Sequence, residues 1–319
     1  MPVMSYEITD PIRSGHLAVG NGHTVHWTES GNSMGKPVVL LHGGPGGGSS
    51  PRHRGMFDPS RYRIIQFDQR NCGQSTPYAG EPQVDLSTNT THHLLEDIER
   101  LRIELGVDQW LVWGGSWGTT LGLAYTEAHP KSVSELVLSS VVSTNEVDVE
   151  WVTRTMGRVF PQQWRAFRDH LPPERWDGNL AQAYNDLLMD PDPAVHNPAA
   201  LAWCDWEDVH VSLADGYQPG LRAEEPTFRL CFARLVTHYW ANAAFLDEDH
   251  LLQNATQLGD IPTYMSHGRL DVSSPIDFPL ELAEAIPVAE LFIAEGDGHG
   301  GSAMTDWTIS ITDRYADGE

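Results

Sequence analysis

The residues whose types and spacing could do chemistry cluster first in Leu111-Val-Trp-Gly-Gly-Ser-Trp-Gly-Thr-Thr-Leu-Gly-Leu-Ala-Tyr125, which contains the G-x-S-x-G pattern Gly114-Gly-Ser-Trp-Gly118. An apolar run, Trp110 to Trp113, precedes it and reads as a buried strand; a helix-period apolar face, Leu121, Leu123, Ala124 and Tyr125, follows. A serine on a tight strand-to-helix turn is held in a strained backbone conformation and lifts its hydroxyl above the sheet. Side chains two positions before and after it would collide, so both are glycine. The helix that follows aims its first N–H groups at the site and favours negative charge there. Ser116 is therefore a candidate nucleophile.

A serine hydroxyl needs a base, the base needs an orienting carboxylate, and the oxyanion needs donors. In an open α/β sheet such groups sit just beyond the carboxyl ends of strands. Two downstream loops meet this condition. The run Thr263-Tyr-Met-Ser-His267 leads into Gly268-Arg-Leu-Asp271, and Leu291-Phe-Ile-Ala294 leads into Glu295-Gly-Asp-Gly-His-Gly-Gly301. They supply Asp271 as orienter and His299 as base. The order Ser, Asp, His is the one expected of α/β-hydrolases. Upstream, His42-Gly-Gly-Pro-Gly-Gly-Gly48 follows a third strand-like run. Backbone N–H groups approach an oxyanion closely only where side chains are missing, so the donors are expected at Gly44 and Trp117. No Gly-Lys-Ser/Thr follows this loop, which argues against a phosphate cradle. There is no H-E-x-x-H, and the adjacent His92 and His93 face apart on a helix. No metal and no organic cofactor is expected.

The elements that must position these residues alternate. His16–Val19 and His23–Trp27 form a hairpin turned at Gly20-Asn-Gly22. Pro37–Leu41 and Tyr62–Phe67 read as strands, 90–105 as an amphipathic helix ended by Gly106, and Leu136–Leu138 as a strand. From about Ser143 to Asn254 strand-like runs vanish, and tryptophans at helical spacing dominate, interrupted by prolines. Alternation then resumes: strand Thr263–His267, helix Phe278–Ala285, strand Leu291–Ala294 and a last helix from about Thr305. The reading is an α/β-hydrolase fold: a mostly parallel central sheet with helices on both faces and an inserted all-helical cap domain. Residues 1–142 and 255–319 form the catalytic domain, and 143–254 the cap that shapes the substrate pocket.

Composition narrows the partners. With 44 acidic against 20 basic residues in 319, the formal net charge is −24. That balance disfavours nucleic acid and anionic membranes. Cys72, Cys204 and Cys231 are far apart and form neither a CxxC pair nor a disulfide framework. Met1–Asp10 lacks the basic and apolar regions of a signal peptide, and no run reaches membrane-spanning length. A cytoplasmic protein is expected; nothing in the sequence specifies an oligomeric state.

From about Met34 to Ser302 the residues resemble the proline iminopeptidases (prolyl aminopeptidases). The resemblance is carried by His42-Gly-Gly-Pro-Gly-Gly-Gly48, Phe67-Asp-Gln-Arg-Asn-Cys-Gly-Gln-Ser-Thr-Pro77, Asp97-Ile-Glu-Arg-Leu-Arg102 and Gly114-Gly-Ser-Trp-Gly-Thr-Thr-Leu121. Trp203-Cys-Asp-Trp-Glu207, Ala233-Arg-Leu-Val-Thr-His-Tyr-Trp240, His267-Gly-Arg-Leu-Asp271 and Gly298-His299 extend it. It implies release of an N-terminal proline, with the free imino group held by glutamates of the cap. Glu207 matches one of these, and Gly43 and Trp206 are expected beside it in the substrate site. The family's second cap glutamate falls at Val236, which cannot hold a cation. The family's Gly-Ile-Phe-like stretch and pocket arginine are replaced by Ser139-Ser-Val-Val-Ser-Thr-Asn-Glu-Val-Asp148. Either another carboxylate, Glu146 or Asp148, serves the ammonium, or the substrate is not a simple prolyl peptide.

Overall fold

A computed structural model describes residues 5–211, 213 and 221–316. Its centre is an eight-stranded sheet in the order β1-β2-β4-β3-β5-β6-β7-β8. The strands are β1 (Arg13–Gly20), β2 (His23–Gly31), β3 (Lys36–Leu41), β4 (Tyr62–Phe67), β5 (Trp110–Gly115), β6 (Val133–Ser139), β7 (Thr263–Gly268) and β8 (Ala289–Ala294). β1 and β2 form the hairpin, and β2 joins β4 antiparallel; every other pairing is parallel. Asn21 and Gly22 between the first two strands both have positive φ, as a two-residue primed turn requires.

The helices are α1 (Thr91–Glu104), α2 (Trp117–Ala128), α3 (Glu146–Thr153), α4 (Pro161–Asp169), α5 (Leu180–Leu188), α6 (Pro193–Val211), α7 (Leu221–Glu224), α8 (Pro226–Trp240), α9 (His250–Asn254), α10 (Asp277–Ala285) and α11 (Ser302–Tyr315). The elements α3 to α9 lie in the chain between β6 and β7. α11 starts three residues before the expected Thr305: Gly301 is its N-cap, and Asp297 Oδ2 accepts from the Met304 N–H in its first turn, at 2.8 Å.

Apolar side chains on the two faces of the sheet pack in separate clusters. One carries Val39, Val112, Leu121, Leu136 and Met265 against α1 and α2. The other carries Val38, Leu111, Val137 and Tyr264 against α11. The inserted helices have a core of their own from Val149 to Val236, built on Phe167, Tyr184, Trp203 and Trp206. Tyr239, Ala244, Leu251, Ala255 and Leu258 instead pack into the sheet's cluster, so by packing the inserted core ends within α8. No helix among the described residues is long and apolar enough to cross a membrane.

Candidate active site

The turn between β5 and α2 holds Ser116 at φ 55°, a left-handed conformation that a non-glycine residue adopts at a cost. The flanking glycines are forced by close approach. A Cβ on Gly114 would lie 2.2 Å from the Gly118 carbonyl oxygen, and one on Gly118 would lie 2.1 Å from that of Leu41. The turn delivers Ser116 Oγ to 2.9 Å from His299 Nε2. On the other side of the ring, His299 Nδ1 is 2.8 Å from Asp271 Oδ2. An ionised carboxylate only accepts, so Nδ1 carries the proton and Nε2 is left to accept from the serine hydroxyl.

Asp271 is buried, and its second oxygen accepts from the backbone N–H groups of Ser273 and Ser274, at 3.0 and 3.1 Å. Burial pushes its carboxyl up, but attraction to His299, the hydrogen bond between them and the donors around it outweigh this and hold it below its ordinary value. Burial likewise works to lower His299, yet Asp271 and Glu207 prevail and raise it. Ser140 Oγ donates to the His299 carbonyl at 2.9 Å and fixes the loop that carries the ring.

The side chain of Gln69 ties this apparatus together. Its Nε2 donates to the His42 carbonyl, at 2.9 Å, and its Oε1 accepts from the indole N–H of Trp117, at 2.9 Å. The glycine-rich loop after β3 is thereby locked to the first residue of α2. Gly44 has φ 120°, and a Cβ there would lie 2.7 Å from the nitrogens of Gly46 and Gly47. Both Gly44 and Trp117 line the cavity into which Ser116 opens. The Trp117 N–H, at the start of a helix, has no intrahelical partner.

That cavity lies between the sheet and the inserted helices. Val142, Val149, Val152, Val211 and Trp240 make it largely apolar; among the described residues Asp148, Glu207 and His210 are the ionisable groups other than His299 on its wall. Glu207 Oε2 is buried and accepts no hydrogen bond among the described residues. Burial raises this carboxyl, while Arg222 and His299 oppose the rise. Asp148 Oδ2 accepts from the N–H and hydroxyl of Ser143 and from the N–H of Thr144, and its carboxyl too is raised by burial.

The other expected binding residues are placed differently from Glu207. Glu146 is exposed on the first turn of α3; the carboxylate of this stretch that reaches the cavity is Asp148, two residues on. Trp206 points into the inserted core, where its ring stacks on Phe167 and its N–H donates to the Val152 carbonyl at 3.1 Å. One position along a helix turns a side chain by about 100°, so Trp206 and Glu207 cannot share a face. Gly43 borders a second depression, on another side of Ser116, and a Cβ there would come within 3.1 Å of Ser116 Cβ. Val236 is fully buried in the inserted core. Gln69, His210 and the Ser273–Ser274 pair were not anticipated. The serines had a signal, since Asp-x-Ser-Ser favours carboxylate-to-backbone turns.

The chain resembles known proteins over nearly its whole length. A family model described as the alpha/beta hydrolase fold matches residues 36–188. A probable proline iminopeptidase of Streptomyces coelicolor is 44% identical over 98% of both chains. The proline iminopeptidase of Neisseria gonorrhoeae is 41% identical over 92% of each, and that of Arabidopsis thaliana 40% identical over 93% of this chain and 77% of its own. Among solved structures, VinJ superposes with a TM-score of 0.63 at 17% identity, covering 97% of this chain and 99% of its own. A proline iminopeptidase of Mycobacterium smegmatis gives 0.56 at 17%, covering 96% and 97%. At that identity the structures speak for the fold alone, but the sequence relatives carry the assignment further: the chain belongs to the proline iminopeptidase family of α/β-hydrolases.

Proposed function

We propose that this protein is a serine hydrolase that releases an N-terminal proline, or a similar small residue, from peptides or amides. Residues 143–254 serve as the cap over a catalytic domain formed by 1–142 and 255–319. Ser116 Oγ attacks the acyl carbonyl as His299 Nε2 takes its proton. Asp271 holds the imidazole tautomer and balances the imidazolium. The N–H groups of Gly44 and Trp117 receive the oxyanion, each lowering the barrier by about 3 kcal/mol. His299 then protonates the departing amine. A water molecule, deprotonated by the same ring, cleaves the acyl-enzyme and restores the serine. The substrate's terminal ammonium lies against Glu207, a charge-assisted hydrogen bond of about 1.5–3 kcal/mol. No step calls on a metal or an organic cofactor.

The observation that carries this reading is the unpartnered, buried Oε2 of Glu207 on the wall of the cavity into which Ser116 opens. A carboxylate left without a partner in an apolar cavity is costly unless a cation completes it. The deciding experiment compares prolyl, alanyl and N-blocked prolyl chromogenic amides. Cleavage of the free prolyl amide and loss of turnover on blocking the amine is the expected result; equal turnover of free and blocked substrates would refute it.

A second reading keeps the mechanism and changes the substrate to an amide or ester without a free amine. It is favoured by Val236, which leaves an apolar side chain at the position of the family's second glutamate. The same panel separates the two. Buried, unpaired Cys72, Cys204 and Cys231 suit a reducing compartment, and a cytoplasmic location is part of the proposal.

A further inference from the structure

His210 lies three residues after Glu207 on α6, the spacing that puts two side chains on one helical face. Its ring is buried and lines the same cavity. Nδ1 is 2.8 Å from Ser273 Oγ, whereas Nε2 has no hydrogen-bond partner among the described residues. The cavity thus presents two unsatisfied buried polar atoms from one face of one helix, Glu207 Oε2 and His210 Nε2. Both side chains also interact electrostatically with His299, which lines the same cavity as Ser116.

A terminal proline nitrogen, once protonated, has two N–H donors pointing in different directions. Glu207 Oε2 can accept one. Asp148, on the same wall, already spends Oδ2 on Ser143 and Thr144, whereas His210 Nε2 is buried and without a partner among the described residues. Val236 offers no acceptor. We infer that His210 is a specificity-determining residue whose Nε2 accepts the second N–H of the substrate's terminal ammonium, so that a neutral imidazole does what a second carboxylate would. The inference rests on the aminopeptidase reading above.

The ring is suited to the task. Burial, with His299 and Arg222 adding to it, pulls the His210 pKa down to about 3, so the imidazole is neutral and does not repel a cation. Ser273 Oγ accepts from Nδ1–H in the tautomer that leaves the Nε2 lone pair facing the cavity. The Glu207 carboxylate then faces the ammonium beside a neutral acceptor.

The test uses two ligands that differ only in the ring nitrogen, L-prolinamide and cyclopentanecarboxamide. Their dissociation constants are read from protection of Ser116 against a fluorophosphonate. The ratio of the two constants does not depend on the fraction of active enzyme. Wild type is expected to prefer prolinamide, His210→Leu to reduce that preference by about 10- to 100-fold, and His210→Gln, whose amide oxygen can accept, to keep most of it. Ser273→Ala, which removes the partner of Nδ1, is expected to reduce the preference several-fold and serves if the leucine variant does not fold. An unchanged ratio in His210→Leu or in Ser273→Ala overturns the assignment of His210 and leaves the role of Glu207 standing. A wild type that does not distinguish the two ligands overturns both.

Discussion

Glu207 and His299 come from different layers, one on α6 and the other on the loop after β8, yet each shifts the protonation of the other. The carboxylate helps to hold the imidazole above its ordinary pKa, and the imidazole opposes the burial that raises the carboxyl. In the proposed mechanism His299 must be neutral to accept the serine proton, so activity is expected to fall as pH drops through its pKa, here above the usual 6.5. Glu207→Gln removes a negative charge that favours the imidazolium. The acid limb of kcat/KM should therefore move to lower pH, while free-amine substrates are weakened about 10- to 100-fold. A pH-rate profile of the variant checks the sign; an unmoved or raised acid limb would remove the coupling.

Ser116→Ala should reduce turnover by about 10⁴-fold or more and abolish fluorophosphonate labelling. What rate persists would come from the oxyanion donors and binding alone. Labelling that survives, mapped by mass spectrometry, would locate the nucleophile at another residue.

Away from the reacting bond, Arg70 and Asp97 form a fully buried ion pair with two contacts, Nε to Oδ2 at 2.6 Å and Nη2 to Oδ1 at 2.8 Å. Removing one partner leaves the other charge uncompensated. Asp97→Ala should cost about 3–5 kcal/mol of stability, and the double replacement Arg70→Met with Asp97→Leu much less. Urea denaturation of the single and double variants measures both.

Glu127 on α2 is buried and accepts no hydrogen bond among the described residues, and burial raises its carboxyl to about 8. The half-buried His250 Nε2 lies 3.3 Å away. The folded protein holds this proton more tightly than the unfolded chain, so the stability contributed is complete below about pH 4.5 and is lost as pH rises toward 8. Glu127→Gln should be the more stable protein at pH 8, with the difference closing toward pH 4.5. Thermal melts across this range decide the point, and a variant less stable than wild type at pH 8 would mean that His250 holds the carboxylate ionised.

Much of this was legible in the chain because its cause is local or periodic. Gly114 and Gly118 are dictated by contacts within the turn and with β3, so their spacing signals the geometry directly. The strands that place Asp271 and His299 are short apolar runs, and a parallel sheet leaves their loops at one edge. The binding wall was less legible because it depends on helix phase. Trp206 and Glu207 are neighbours in sequence and do not share a face; Glu146 and Asp148 differ by two residues, and only the second reaches the cavity. His210 acquires meaning only once α6 is known to present Glu207 inward. Gln69 bridges a carbonyl after β3 and an indole on α2, a meeting of three loops that no single stretch of sequence announces.

α6, which carries Glu207 and His210, closes with its neighbours on an apolar interior separate from those of the sheet. Substitutions there can retune which acyl group is admitted while the nucleophile, base and carboxylate keep their positions. In the proposed mechanism a change of selectivity then need not disturb bond cleavage.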